Sequence, residues 1–222
     1  MKRYLENLIS GGENLHLDFK FCISDSRKIA RTLVAFANTD GGKLLIGVKD
    51  NGKIAGIRSE EEIYMVDTAI QLYCRPQVNY SVKQHITGGK SVLEIEVRKG
   101  EKRVFQAKDD NDAWRYYFRH GDQNLVASRV ILKVWGREES KSGALLKFDK
   151  TENLLMEYLK SNQSVSLSKF RKIAGISTRR AEAILVNLIL FNIIRINASG
   201  TGIIYELNPE IPVPDEKRSA IS

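Results

Sequence analysis

Ala35-Phe36-Ala37-Asn38-Thr39-Asp40-Gly41-Gly42-Lys43-Leu44-Leu45-Ile46-Gly47-Val48 changes structural period part-way along. Upstream, apolar residues at 29, 30, 33, 34 and 37 keep helical spacing over Arg27 to Asn38. Gly41-Gly42 ends that helix, with Asn38 and Gly41 expected to supply the cap and a left-handed turn. Lys43 to Val48 is then a nearly continuous apolar run, suited to a strand covered on both faces. Phosphate-binding glycine loops leave a strand and open a helix, so the positive helix end meets the anion. Here the order is reversed and the glycines face carbonyls, so this stretch is not read as a nucleotide cradle.

Outward from it, Asp50-Asn51-Gly52-Lys53 is a hairpin turn, with Ile54 to Ile57 expected as the returning strand. Ser59-Glu60-Glu61-Glu62 reads as a capping box opening a helix to about Tyr73, closed at Arg75-Pro76. Val78 to His85 and Ser91 to Arg98 alternate as a hairpin with Leu93, Ile95 and Val97 inward. A second strand pair is expected over Arg103 to Ala107 and Ala113 to Arg119, across the acidic turn 108–112, and a helix over Asn124 to Trp135. Hairpins mixed with helices predict an α+β fold with a mixed or antiparallel sheet, not a doubly wound parallel one.

The polar run 136–143 is the expected boundary, giving domains at 1–140 and 148–208 and a flexible, proline-bearing tail at 209–222. In the second domain, helical spacing marks three helices. The first carries Leu154, Leu155, Tyr158 and Leu159; the second begins near Ser166, and the third begins at Ser177. A hairpin follows, Ile193 to Ile196 with Ile203 to Leu207, so the order is that of a winged helix-turn-helix. Val186, Ile189, Leu190 and Ile193 add a second apolar stripe on the third helix. That stripe needs cover, from the first domain, the preceding helix or a second copy, and a homodimer is expected.

The chain has 222 residues, 35 Lys plus Arg against 27 Asp plus Glu, and a net charge of +8. Residues 1–148 hold +6 of this, 149–208 hold +3 and the tail −1, which favours two modest contact surfaces over one strong one. Two cysteines exclude a disulfide-stapled scaffold and suit a reducing cytoplasm. The first residues lack a signal-peptide core, and no apolar run is long enough to span a membrane.

Glu13-Asn14-Leu15-His16-Leu17-Asp18-Phe19-Lys20, the Ala35–Val48 stretch, Gly52-Lys53-Ile54-Ala55-Gly56 and Tyr116-Tyr117-Phe118-Arg119-His120-Gly121 together resemble the Schlafen/Alba-like DNA-binding domain over residues 10–135. The resemblance implies a bacterial nucleic-acid-binding protein, often a transcriptional regulator with a winged helix behind and, in some descriptions, an ATP-binding protein. In animal Schlafens the same core cuts RNA through three metal-held carboxylates. Glu13 and Asp18 fall on two of them, and Asp50 is the nearest match to the third because Lys49 stands at the aspartate position. A neighbouring strand residue points to the opposite face. Structural roles are therefore favoured for the trio, and Mg²⁺ or Mn²⁺ enters only with the nuclease alternative.

No other cofactor is expected. His16, His85 and His120 are scattered away from metal-ligand spacing. For DNA or RNA, candidate contacts in the first domain are Lys20, Arg27, Lys28 and Arg31 as a basic strip, with Arg115, Tyr117 and Arg119 on one strand face. In the second they are Lys169 and Lys172 on the second helix, with Arg179 and Arg180 where a recognition helix meets the major groove. The expected function is a cytoplasmic, non-catalytic transcriptional regulator. The alternatives are a metal-dependent ribonuclease and a dimerising interaction module.

Overall fold

The structure, a computed structural model, describes residues 2–140, 148–199 and 202–210. The chain divides into two compact units, residues 1–127 and 128–222. The proline-bearing tail beyond Glu210 lies outside the described residues.

The first unit runs α1 (Lys2–Ser10), β1 (Leu17–Lys20), α2 (Ser26–Asn38), β2 (Gly42–Ile46), α3 (Glu61–Tyr73), β3 (Cys74–Arg75), β4 (Tyr80–Thr87), β5 (Lys90–Val97), β6 (Gln106–Lys108), β7 (Trp114–His120) and β8 (Gln123–Val126). One sheet has the order β1-β2-β5-β4, with β1 and β2 parallel and the other pairs antiparallel. The other, β3-β6-β7-β8, is antiparallel throughout. This is the α+β class with a mixed sheet.

Asp25 starts α2 by accepting the Arg27 amide at 2.8 Å. Ile29, Ala30 and every residue from Thr32 to Asn38 are buried, because α2 packs on both sheets. Leu44, Ile46, Leu93, Ile95 and Val97 meet it from one, Ala107 and Tyr117 from the other. The opposite face of the first sheet, with Leu17, Phe19, Leu45, Val48 and Val92, is covered by Leu5, Leu8 and Ile9 of α1. No element is expected there from the sequence.

The Ala35–Val48 stretch is a clamp. Asn38 is not a cap: its buried amide donates to the carbonyls of Phe105 and Tyr117, each at 2.8 Å, and accepts the Phe105 amide at 3.1 Å. Thr39 Oγ1 donates to Ala35 O at 2.8 Å and accepts the Arg119 amide at 2.9 Å. The amides of Thr39 and Gly41 satisfy Phe36 O, and that of Gly100 satisfies Ala37 O. Gly41 makes the expected left-handed turn at φ +75°, where a Cβ would stand 2.9 Å from Val97 O and 3.0 Å from Lys99 N. Gly41→Ala is expected to lower the unfolding free energy by about 3 kcal/mol, since positive φ and a backbone clash combine. Urea denaturation checks this; a loss below about 1 kcal/mol contradicts it.

Three expectations for this unit need correction. The 54–57 return makes a single bridge, Val48 to Ile54, and no strand. The capping box is absent: α3 begins at Glu61, Ser59 gives no side-chain cap, and Glu62 reaches back to the Arg58 amide at 3.0 Å. Residues 123–126 extend the second sheet, so the next helix starts only at Arg129.

The second unit runs α4 (Arg129–Ser140), α5 (Lys150–Asn162), β9 (Ser164–Val165), α6 (Leu167–Ala174), α7 (Thr178–Leu190), β10 (Ile194–Ser199) and β11 (Gly202–Leu207). Its sheet is antiparallel in the order β10-β11-β9. Asp149 and Glu152 form a capping box on α5, while Ser166 and Ser177 cap α6 and α7. Gly175 ends α6 in the left-handed conformation.

The boundary precedes the one expected because Val130 and Val134 of α4 belong to the core of Leu155, Leu159, Phe170, Leu185 and Tyr205. The polar residues 136–140 continue that helix. Packing of α4 on α7 takes up the second apolar stripe: Val186 is 1% exposed, and Ile189, Leu190 and Ile193 lie against the same core. The surface from which a dimer was expected is thus covered within the unit. No helix among the described residues is long and apolar enough to cross a membrane.

Candidate functional site

β1 places Asp18 in the buried interior of the first unit, where Arg119 of β7 reaches it. Arg119 is 2% exposed, and its Nη1 lies 3.3 Å from Asp18 Oδ1 and 3.1 Å from Asn124 Oδ1. Its Nη2 donates to Asn14 O at 2.7 Å and Leu17 O at 3.2 Å, and the guanidinium stacks on Phe36, 5.0 Å from the ring centroid. Lys20 Nζ stands 2.8 Å from the other Asp18 oxygen. The side chain of Glu13 accepts the Phe19 amide at 2.8 Å.

Burial raises the Glu13 carboxyl above its ordinary value of 4.5; the Phe19 amide opposes this and the neighbouring Asp18 adds to it. The folded state therefore holds this proton more tightly than the unfolded chain. Stability should fall as pH rises from near 4.5 through the raised folded value, and the cost is complete above it. Glu13→Gln keeps an acceptor for Phe19 and should flatten the stability–pH profile across that window. An unchanged slope in urea titrations at successive pH values contradicts this.

Glu13 and Asp18 thus meet, but Asp50 lies exposed in the turn after β2. Among the described residues no three His, Cys, Asp or Glu side chains are gathered to hold a metal. Asp18 already has two cations as partners, and Lys49 adds its ammonium near the β2 end, over the Phe21 ring. These residues do not fit the three-carboxylate metal site.

The strand face of Arg115, Tyr117 and Arg119 is not a surface. Tyr117 and Arg119 are buried because that face of β7 packs on α2, while exposed Arg115 pairs with Asp109 at 3.0 Å. The strip Lys20, Arg27, Lys28, Arg31 is also largely answered, because the acidic turn 109–112 folds against it. Arg31 Nη2 pairs with Asp110 at 2.6 Å, and its Nε donates to Lys108 O. Arg27 lies 3.9 Å from Asp112 and over the Tyr73 ring. Lys20 is held by Asp18, and Lys28 remains exposed beside Asp110.

A buried network absent from the sequence reading lies across the first sheet. Glu94, fully buried, accepts from Lys43 at 2.5 Å and Tyr4 at 3.0 Å, and His85 Nε2 lies 2.7 Å from its other oxygen. Burial pushes the Glu94 carboxyl up, but Lys43, His85 and Tyr4 outweigh it and hold it below the ordinary value. It ties α1 to the sheet.

In the second unit, Lys169 and Lys172 on α6 and Arg179 in the first turn of α7 are all exposed, with no carboxylate partner among the described residues. Arg180 pairs with Asp149 at 2.6 Å, and Arg171 donates to Thr178 Oγ1. Arg179 also borders a hollow of about 270 Å³ with Lys133 and Arg137 from α4. Those two cations are not among the sequence-based candidates, because the pattern places their segment in a first-domain helix and linker. Glu182 holds Lys133 at 2.5 Å, and Asn187 holds Arg137 at 2.5 Å.

The family model described as Schlafen, AlbA_2 matches residues 13–128, and a PCI domain model matches residues 146–199. Among solved structures, the N-terminal domain of a RecG-related protein from Nitrosomonas europaea is 21% identical at a TM-score of 0.36, covering 50% of this chain and 76% of that one. The DIP2311 protein from Corynebacterium diphtheriae is 16% identical at a TM-score of 0.45, with 92% of this chain and 42% of that chain covered.

Proposed function

The chain belongs to the Schlafen, AlbA_2 family, and on that footing we propose that it is a non-catalytic nucleic-acid-binding protein acting as a transcriptional regulator. In this proposal the second unit contacts duplex DNA as a winged helix-turn-helix. The observation that carries it is the contrast between the two basic surfaces. Arg27 and Arg31 of α2 are paired with the acids of the 109–112 turn, whereas Lys169, Lys172 and Arg179 project from α6 and the start of α7 with no such partner among the described residues.

Helix N-termini and the cations beside them are where phosphates are taken, and a recognition helix reads bases from its first turns. Here the first turn of α7 holds Arg179 and Arg180 and no acidic residue. The antiparallel hairpin β10–β11 follows α7 directly and serves as the proposed wing. Because α4 already covers the second stripe of α7, the proposal needs no second copy of the chain. In this proposal Asp18 is structural, held by Arg119 and Lys20, and not a metal ligand of a nuclease. The test is duplex binding by the full chain carrying Lys172→Glu and Arg179→Glu, which should be strongly weakened while the fold persists. Unchanged affinity excludes this surface.

A further inference from the structure

We propose that Phe21, with Lys49 and Arg58 against its ring, is a second nucleic-acid contact, one that takes a single strand by stacking a base and holding its phosphates. This rests on the nucleic-acid reading above but uses a different surface, within the first unit. Phe21 is 37% exposed, with Lys49 Nζ 5.3 Å and Arg58 Cζ 5.1 Å from its ring centroid.

The three residues come from separate segments that the backbone fixes together. β1 and β2 are parallel with Lys20 opposite Ile46, so Phe21 and Lys49 leave neighbouring strands at the same end. The Lys20 carbonyl accepts the Gly47 amide at 2.8 Å and the Val48 amide at 3.3 Å. The Gly47 carbonyl in turn accepts from Ala55 and Gly56, and Ile57 donates to Ser91 O at 2.7 Å, which delivers Arg58. Gly47 and Gly56, both at positive φ, pass so close that a Cβ on Gly47 would stand 2.9 Å from the Gly56 carbonyl carbon. The contact is therefore preorganised by hydrogen-bonded backbone.

What separates this cluster from the other cation–ring pairs is the state of the charged heads. Over Tyr4, Phe36, Tyr73, Trp114 and Tyr117, each cation also has a polar or charged side-chain partner: Glu94 for Lys43, Asp18 for Arg119, Asp112 for Arg27 and Lys108, Gln106 for Arg75, Asp110 for Arg31. Lys49 and Arg58 have no carboxylate in ion-pair reach among the described residues, and both are exposed. An exposed ring attracts such cations only weakly, so a phosphate can draw them away and leave the ring to a base. Stacking on a protein ring requires an unstacked base, which selects a single strand over a closed duplex.

The test is fluorescence anisotropy of a labelled oligo-dT and an oligo-U against the full chain, beside a duplex of the same length. Phe21→Ala should weaken single-strand binding roughly ten- to a hundred-fold and leave duplex affinity unchanged. Lys49→Ala with Arg58→Ala should reduce the single-strand salt slope by about 1.4, close to 0.7 for each phosphate lost. Phe21 is at the surface, so circular dichroism of the variant should match the parent. Lys172→Glu with Arg179→Glu should spare single-strand binding, which separates the two surfaces. If the wild-type chain binds neither oligonucleotide, or if the Phe21 and Lys49/Arg58 variants bind as the parent does, this contact is overturned whatever the duplex result. Loss at Phe21 with no duplex binding by the parent would uphold this contact and end the other.

Discussion

Arg119→Met is expected to lower the unfolding free energy by about 3–5 kcal/mol, the range for removing one partner of a buried ion pair. Methionine fills much of the volume but leaves Asp18, 3% exposed, beside the Glu13 carboxyl with Lys20 as its one remaining cation among the described residues. It also withdraws the donors to Asn14 O and Leu17 O and the cation stacked on Phe36. Asp18→Asn should cost less, because Arg119 keeps its other acceptors. The double variant should lose clearly less than the sum of the two, since Asp18 is then no longer a buried charge without its main partner. Urea unfolding of the four proteins measures this. A loss below about 1 kcal/mol for Arg119→Met would show that the arginine is not the anchor of this site.

The second large effect is on binding. Lys172→Glu with Arg179→Glu should weaken duplex affinity by roughly two orders of magnitude at moderate salt, since two phosphate contacts become two repulsions. Stability should hardly change, because neither cation has a partner to lose among the described residues. Arg180 is a poorer probe. Its guanidinium meets Asp149, which also caps α5, so reversing its charge disturbs a helix start as well as the surface.

Much of the fold was legible because hydrophobic period and caps are local. α2, the β4–β5 hairpin, Ser166, Ser177 and the helices they open all follow from spacings within about ten residues. What escaped was set by distant partners. Asn38 looks like a cap from its neighbours, yet it bonds residues 105 and 117. Arg119 follows Tyr117 at strand spacing and reads as surface until Asp18 and α2 close over it. α4 carries Val130 and Val134 into the second core, which no composition shift at 127–128 announces. The charge strip on α2 was visible, but its neutralisation by an acidic turn some eighty residues later was not. Lys49 is legible as an intrusion at a carboxylate position, but its place on Phe21 is not, because it depends on the parallel pairing of β1 with β2.

The salt dependence of duplex binding shows whether phosphates are held by α6 and α7. For the wild-type chain, log affinity should fall linearly with log salt, and for Lys172→Glu with Arg179→Glu the slope should be shallower by about 1.8, close to 0.9 for each lost phosphate contact. Absence of duplex binding at low salt, or two superimposable salt profiles, would contradict the assignment of α6 and α7 as the DNA-contacting surface.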